Sequence, residues 1–392
     1  MAITTKWFTD TMPGAPVLGS KQTGTLIELF RACLIDGFNI LNPVASGVTY
    51  DGGQNEVTVT FAAAHGYLKH QVIKVTGCTE TDYNGEFRLT YVDTLTVKYT
   101  PLATPSGTPA TGTPETKVAP VGGWEVVHED LVTNIEASFQ RTDPGATPYT
   151  MIVQNNGNMG TYTAGNEWLA IVKIAANYVD LATYDTLVSH YWPASWNNSS
   201  GEEWFFVGDH LAFYWTNRFA INSRRSTMVW GDINSVLGGD TMHCIVNGLN
   251  SSTGTEWDAS GEASHQNFTN LGSNYYKTIA GDNANTPLTS DVWFMTGIED
   301  YFGLSSINFP NETTNEFMVS PMEVMCIVGS ALRGYMPGIV QPLMTSTAYH
   351  GRILDNFVDW NNELIMFWYS IAGAASTTAE YLVGYRLSNW RD

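Results

Sequence analysis

The chain is poor in positive charge. Only 18 of its 392 residues are Lys or Arg, against 38 Asp or Glu, so the formal net charge is −20. A surface of that sign repels phosphate backbones, and nucleic acid is not expected as a partner. Charge of either sign is scarce too, at 14% of residues, when an average soluble chain carries about 25%. Cysteine is rare. Cys33, Cys78, Cys244 and Cys326 stand far apart. No CxxC spacing signals a zinc knuckle or a redox pair, and the four are expected as buried thiols. The longest apolar run, Leu364–Ser376, falls short of the roughly 20 residues that span a bilayer. Residues 1–20 lack a basic start followed by an apolar core. Neither a secretory signal nor membrane insertion is expected. There is no heptad run to build a trimeric stalk and no constant-period repeat to build a propeller.

Signatures of catalysis are also missing. No GxSxG or SxxK marks a nucleophile, no HExxH or DxDxDG marks a metal site, and no glycine-rich loop with a following Lys marks a phosphate cradle. His128, His190, His210, His243, His265 and His350 are scattered without a repeated local partner. The expectation is a protein that is not an enzyme and needs no cofactor or metal. One pattern pulls the other way. Glu202-Glu203-Trp204, Glu256-Trp257-Asp258 and Asp359-Trp360 set acids beside tryptophans. Glycosidases need paired carboxylates next to aromatic platforms, so Glu203 and Asp258 are the acids to test. Without cleavage, Trp257, Asp258 and Tyr67 would be candidate contacts to a glycan or receptor.

Aromatic and turn-forming residues are plentiful: 13 Trp, 19 Tyr and 17 Phe stand beside 36 Gly and 16 Pro. That mixture predicts many short strands and tight turns. The fold expected is mainly β: an aromatic-rich sandwich or barrel core, an N-terminal helix, and an inserted small antiparallel β domain.

Residues 1–39 read as an extended arm followed by a helix that packs on the main domain or on a neighbour. Thr25-Leu26-Ile27-Glu28 fits a capping box, and Leu26, Ile27, Phe30, Cys33 and Leu34 form one apolar stripe ending at Gly37. Residues 40–120 switch to a period of two. Four strands are predicted at Glu56–Phe61, Gln71–Thr76, Glu86–Val92 and Leu95–Thr100, with Asp51-Gly52 and Asn84-Gly85 as tight turns. Pro101–Pro120, rich in Thr, Pro, Gly and Ala, reads either as a linker or, in preference, as loose ends flanking a closing edge strand near Ala110–Thr113. Residues 121–392 form the main β-rich domain, with strands at Trp168–Ile174, Trp204–Val207, Leu211–Trp215, Thr227–Trp230, Met242–Val246, Phe317–Met318, Met322–Ile327, Leu364–Tyr369 and Glu380–Leu387. The polar stretch 252–285 reads as a long surface excursion.

A series of short motifs runs along the chain in a fixed order. Met12-Pro13-Gly14-Ala15-Pro16 leads to Asp36-Gly37-Phe38-Asn39, then Gly123-Trp124-Glu125 and Arg141-Thr142-Asp143-Pro144. Tyr191-Trp192-Pro193, Phe206-Val207-Gly208-Asp209, Phe213-Tyr214 and Trp230-Gly231-Asp232-Ile233 follow. Leu332-Arg333-Gly334-Tyr335-Met336-Pro337-Gly338 closes the series. In this order the motifs resemble a family of virion structural proteins of tailed bacteriophages. His65-Gly66-Tyr67, Val72–Gly77 and Tyr83–Phe87 resemble a small β module common in phage tail and fibre proteins, which is typically outward-facing.

The resemblance implies an oligomeric virion subunit associated with tail, neck or baseplate. It would be made in the host cytoplasm without a signal peptide. Its partners would be other virion proteins, copies of itself in a symmetric ring, and a host surface glycan. Burial of aromatic surface stabilises such contacts at roughly 25 cal/mol per Å², and Trp7, Phe8, Leu26 and Phe30 are the candidate assembly contacts. A receptor- or glycan-binding adhesin is the alternative reading, followed by capsid decoration or a polysaccharide-degrading enzyme.

Overall fold

A computed structural model describes residues 5–18, 24–130, 135–155, 169–194, 202–218, 225–241, 243–247, 275–279, 282–289, 319–326, 331–342, 350–357, 363–372 and 379–391. The architecture is mainly β, with antiparallel sheets and one short N-terminal helix.

The middle of the molecule is a five-stranded sheet. Its strands run in the order Lys6–Thr9, Trp204–Gly208, Ala212–Arg218, Arg225–Asp232 and Cys244–Val246. Trp204 to Gly208 are all buried, and so are Ala212 to Asn217. An antiparallel strand with one wet face alternates; a strand covered on both faces does not. Here both faces are covered. On one side Phe206 stacks on Phe213 at 4.8 Å, and Trp215 meets Phe30 of the helix at 5.9 Å. On the other side Phe205 stacks on Trp368 at 4.5 Å and Tyr214 meets Tyr385 at 5.6 Å.

The layer on the helix side is a five-stranded meander. Its order is Thr183–Pro193, Leu169–Asp180, Thr150–Gln154, Glu136–Arg141 and Trp124–Glu129. Phe139 and Trp192 point inward and complete the ring cluster around Phe30, at 6.4 and 6.0 Å. The opposite layer contains Val319–Cys326, Ala331–Pro342, Ala379–Arg386, Glu363–Ala372 and Ile353–Phe357, in that order. A hairpin of Tyr275–Ile279 and Asp282–Thr289 continues its edge. That hairpin is the part of the 252–285 stretch that falls within the described residues.

The helix, Thr25–Arg31, begins without the expected capping box. Gly24, in the left-handed region, is the N-cap and makes no side-chain cap bond. The cap comes from 129 residues away: Leu26 N donates to Asn155 Oδ1 at 3.2 Å, and Gly24 N donates to Asn155 O. A widened turn, Ala32–Asp36, closes on Gly37 N to Ala32 O. Gly37 sits at φ +72, and a Cβ there would lie 2.3 Å from Val118 O. Only glycine fits that close approach.

The small domain is a seven-stranded sheet rather than four strands. Its order is Phe38–Leu41, Gly112–Val118, Val72–Cys78, Gly85–Val92, Thr96–Tyr99, Glu56–Thr60 and Val48–Asp51. The strand expected near Ala110–Thr113 starts at Gly112 and is not an edge, because it pairs with neighbours on both sides. Strand Gly85–Val92 turns the corner, its first half pairing with Val72–Val75 and its second half with Val97–Tyr99. Phe87 stacks on Tyr99 inside at 4.1 Å. Asp51-Gly52 opens a longer loop to Glu56 instead of a two-residue turn. Asn84-Gly85 does not link two strands directly; Asn84 instead pairs through its amide with both backbone groups of Cys78. No helix among the described residues is long and apolar enough to cross a membrane.

Candidate functional site

Two buried polar clusters organise the molecule, and most of the ordered motifs end in one or the other. The first lies at one end of the central sheet, where strand ends and turns bring polar side chains together. Arg141 leaves the meander and pairs with Asp232 of the central sheet at 2.5 Å, with both side chains almost fully buried. Its Nη2 donates to the carbonyl and the hydroxyl of Thr147, each at 2.7 Å, and its guanidinium lies 4.8 Å from the Trp230 ring. Thr147 returns two bonds to the Asp232 carboxylate, from its N at 2.9 Å and its Oγ1 at 2.6 Å. Burial alone would raise the Asp232 carboxyl, but Arg141 and Thr147 more than offset it and hold it below the usual carboxylate range.

Next to it, Asp209 closes its own turn by accepting from Leu211 N and Ala212 N. It also takes a two-pronged bond from Arg391, at 2.5 and 3.0 Å. Arg391 Nη1 reaches Asp232 O at 3.0 Å and Asn234 Oδ1 at 3.1 Å. Arg333 pairs with Asp240, and Tyr214 donates to Pro337 O at 2.8 Å. Gly338 packs against the ring of Trp390. Trp124 Nε1 adds a bond to Asp209 O at 3.0 Å. Most of the motifs between residues 123 and 338 therefore meet Trp390 and Arg391, beyond the last strand, and tie three layers together. Cys244 sits beside this cluster, and burial pushes its thiol up to about 12.

The second cluster joins the small domain to everything else. Arg88 donates to three carbonyls: His70 at 2.8 Å, Thr5 at 3.1 Å and Leu387 at 2.9 Å. These belong to the small domain, the N-terminal arm and the chain's end. Burial lowers the Arg88 guanidinium to about 10. Lys6, buried in the arm, pairs with Glu86 at 2.6 Å and donates to Val121 O at 2.8 Å. At the exposed rim of this cluster Lys69 and His70 both face Asp355 of the outer layer, at 2.9 and 3.4 Å.

The residues expected to make assembly contacts are placed otherwise. Trp7, Phe8, Leu26 and Phe30 are at most 4% exposed. The arm is a strand of the chain's own sheet, with Trp7 opposite Val207 and Phe8 opposite Phe206. Their apolar surface is already spent on this chain's core, so in this fold they offer none to a neighbour. Tyr67 is 2% exposed. Its hydroxyl bonds Thr116 Oγ1 at 2.9 Å and Asn39 O at 3.2 Å, and its ring stacks on His65. Gly66 beside it packs on Pro13. His65-Gly66-Tyr67 is thus an inward seam against the arm and not a glycan contact on an outward face.

Trp257 and Asp258 lie outside the described residues, as does Asp359-Trp360. Glu202 is buried, while Glu203 faces His350 at 3.5 Å. Burial and the Glu203 charge raise the carboxyl of nearby Asp10. Among the described residues no group of three or more His, Cys, Asp or Glu is arranged to hold a metal ion.

Arg141, Asp209, Asp232 and Arg333 stand inside the ordered motifs, but nothing local pairs them. Arg88, Asn155, Asp240 and Arg391 stand outside every motif. Arg88 carried little signal, because it falls on the polar row of an alternating strand, between Glu86 and Thr90.

No family model matches the chain, and no curated protein matches it.

Proposed function

We propose that this protein is a structural subunit of a tailed-phage virion, associated with tail, neck or baseplate, which self-associates in a symmetric ring and joins other virion proteins. One observation carries the reading. Motifs that resemble the virion family by their order along the chain are also partners in space, converging on the cluster around Arg141, Asp232, Asp209 and Arg391. A design that spends its few cations on locking layers together suits a building block that must keep its shape under load. The small domain fits that role as well, because buried Arg88 and Lys6 fix it to the body instead of leaving it on a linker.

Trp7, Phe8, Leu26 and Phe30 are buried in the chain's own core, so contacts to neighbours fall to exposed apolar side chains. Val236 and Leu237 form one such pair, at 48% and 56% exposure. They stand on a loop whose base is pinned by Ser235 to Asp240 and by Val236 N to Arg333 O. Closed rings follow when such a contact is heterologous and its rotation closes.

The test is quantitative mass spectrometry and cross-linking of purified particles of the phage that encodes the chain. A fixed copy number, with cross-links between copies and to tail proteins, is the expected result. A chain absent from particles and monomeric in solution would overturn the reading. Blocking of infection by the free protein, without fixed incorporation, would move it to an adhesin.

A further inference from the structure

The outer face of the meander sheet carries an aromatic feature that the assembly role does not use. Along strand Glu136–Arg141, Ala137 and Phe139 point into the core, so Ser138 lies on the opposite face, where it and Ile152 are themselves buried. Opposite it, Ile152 and then Lys173 continue this outer row. The hairpin of Leu169–Asp180 and Thr183–Pro193 brings Tyr178 and Tyr184 onto the same face. Tyr178 donates to Ser138 Oγ at 2.8 Å and contacts His128 Nδ1 at 3.0 Å. Lys173 Nζ donates to the Tyr184 hydroxyl at 2.9 Å. Both phenols are tethered at their tips, which fixes where the rings lie.

His128, Tyr178 and Tyr184 follow one another at 5.6 and 6.0 Å, and the two tyrosine rings are tilted by only 31°. Both are half-buried. Beside them Asn177 sits at φ +48, in the left-handed region, and its amide donates to Asp185 Oδ2 at 2.7 Å. Asparagine adopts this conformation readily, and here it fixes the bulge beside the two rings. Asp180 and Glu136 also lie near Tyr178. The rim is therefore rich in oxygen acceptors and carries negative charge.

We propose that this shelf binds an uncharged pyranose sugar. An aromatic face is electron-rich and attracts the polarised C–H face of a pyranose. Asp185 and the Asn177 carbonyl accept from its hydroxyls, as a few polar groups beside an apolar platform do in small-molecule sites. Asp180, Asp185 and Glu136 outnumber the Lys173 ammonium at the Tyr184 hydroxyl, so the rim is net negative and disfavours an acidic sugar relative to a neutral one. The proposal does not depend on the chain's place in a virion.

Saturation-transfer NMR on the full chain tests it. The probes are the methyl glycosides of glucose, galactose, mannose and N-acetylglucosamine, with glucuronic acid as the anionic comparison. Saturation of C–H protons is expected for at least one neutral sugar and not for glucuronate. Tyr184→Ala should weaken that binding about tenfold or more, while Tyr184→Phe keeps the ring and most of the signal. Asp185→Ala, at an exposed position, gives the same reading if Tyr184→Ala does not fold. No transfer to any neutral sugar, equal transfer to glucuronate, or an unchanged signal in both alanine variants would overturn the proposal. Cross-linking of the shelf to another protein, without sugar binding, would replace it with a protein contact.

Discussion

Arg88 donates to the carbonyl of Leu387, 299 positions later in the chain, at 2.9 Å. The same guanidinium holds Thr5 and His70, so one side chain pins the start, the small domain and the end. Replacing it with Met keeps the apolar stem and removes every donor. Buried carbonyls left without partners destabilise strongly, and bonds to a charged group are worth roughly 1.5–3 kcal/mol each. Arg88→Met is expected to lose at least about 3 kcal/mol in urea unfolding and to open the arm to limited proteolysis. An unchanged midpoint would show that the staple carries no load.

The Arg141–Asp232 pair predicts a larger loss. Removing one partner of a buried pair leaves the other charge uncompensated, at about 3–5 kcal/mol. Arg141→Met should therefore lower the melting temperature sharply. Arg141→Met with Asp232→Leu should recover part of the loss, because no lone charge then remains. A double variant no better than the single one would argue against the pair as the cause.

Acid should loosen the seam between small domain and body. Burial lowers His65, and burial followed by the Lys69 charge lowers His70, both below the usual imidazole value of 6.5. The unfolded chain then binds more protons than the folded one just below that value, so stability rises with pH there and falls on acidification. Asp232 and Asp355, lowered from 3.8, add a second loss at more acid pH. Melting temperature followed from about pH 7.5 to about pH 5.5 should fall, and fall less in His70→Gln. A flat profile through the histidine range would refute this.

Gly66 should not tolerate alanine. Its φ is +70 and an added Cβ would lie 2.1 Å from Pro13 Cγ. Gly66→Ala is expected to cost roughly 1–3 kcal/mol through strain, with the arm detaching first. Hydrogen exchange at residues 6–9 measures it, and protection equal to the wild type would contradict the predicted seam.

Cys33 and Cys244 should resist thiol reagents in the folded chain. Both are buried, and burial raises both thiols, which suppresses the reactive thiolate. Labelling at either position is expected only on unfolding. Rapid labelling under native conditions would show that these layers open.

The helix shows how legibility divided. Its apolar stripe at Leu26, Ile27, Phe30, Cys33 and Leu34 was plain because packing enforces a period of 3.6. Its cap was not, since Asn155 supplies it from another sheet. The aromatic strands were legible as strands, but Phe205 and Phe206 serve opposite layers. Nothing local says whether such a run lies between two layers of its own chain or against a neighbour. The shelf of Tyr178 and Tyr184 left no signal either, because its polar partners come from three strands.

Composition and periodicity settled by themselves that this chain builds antiparallel sheets with a helix near its start, because alternation and stripe are properties of neighbouring residues. The tertiary structure decided which rings became core, which cation met which carboxylate, and that the arm pairs with its own sheet. Those outcomes depend on contacts between residues up to 299 positions apart. Chain topology sets them, since a buried charge is stable only where folding brings it a partner.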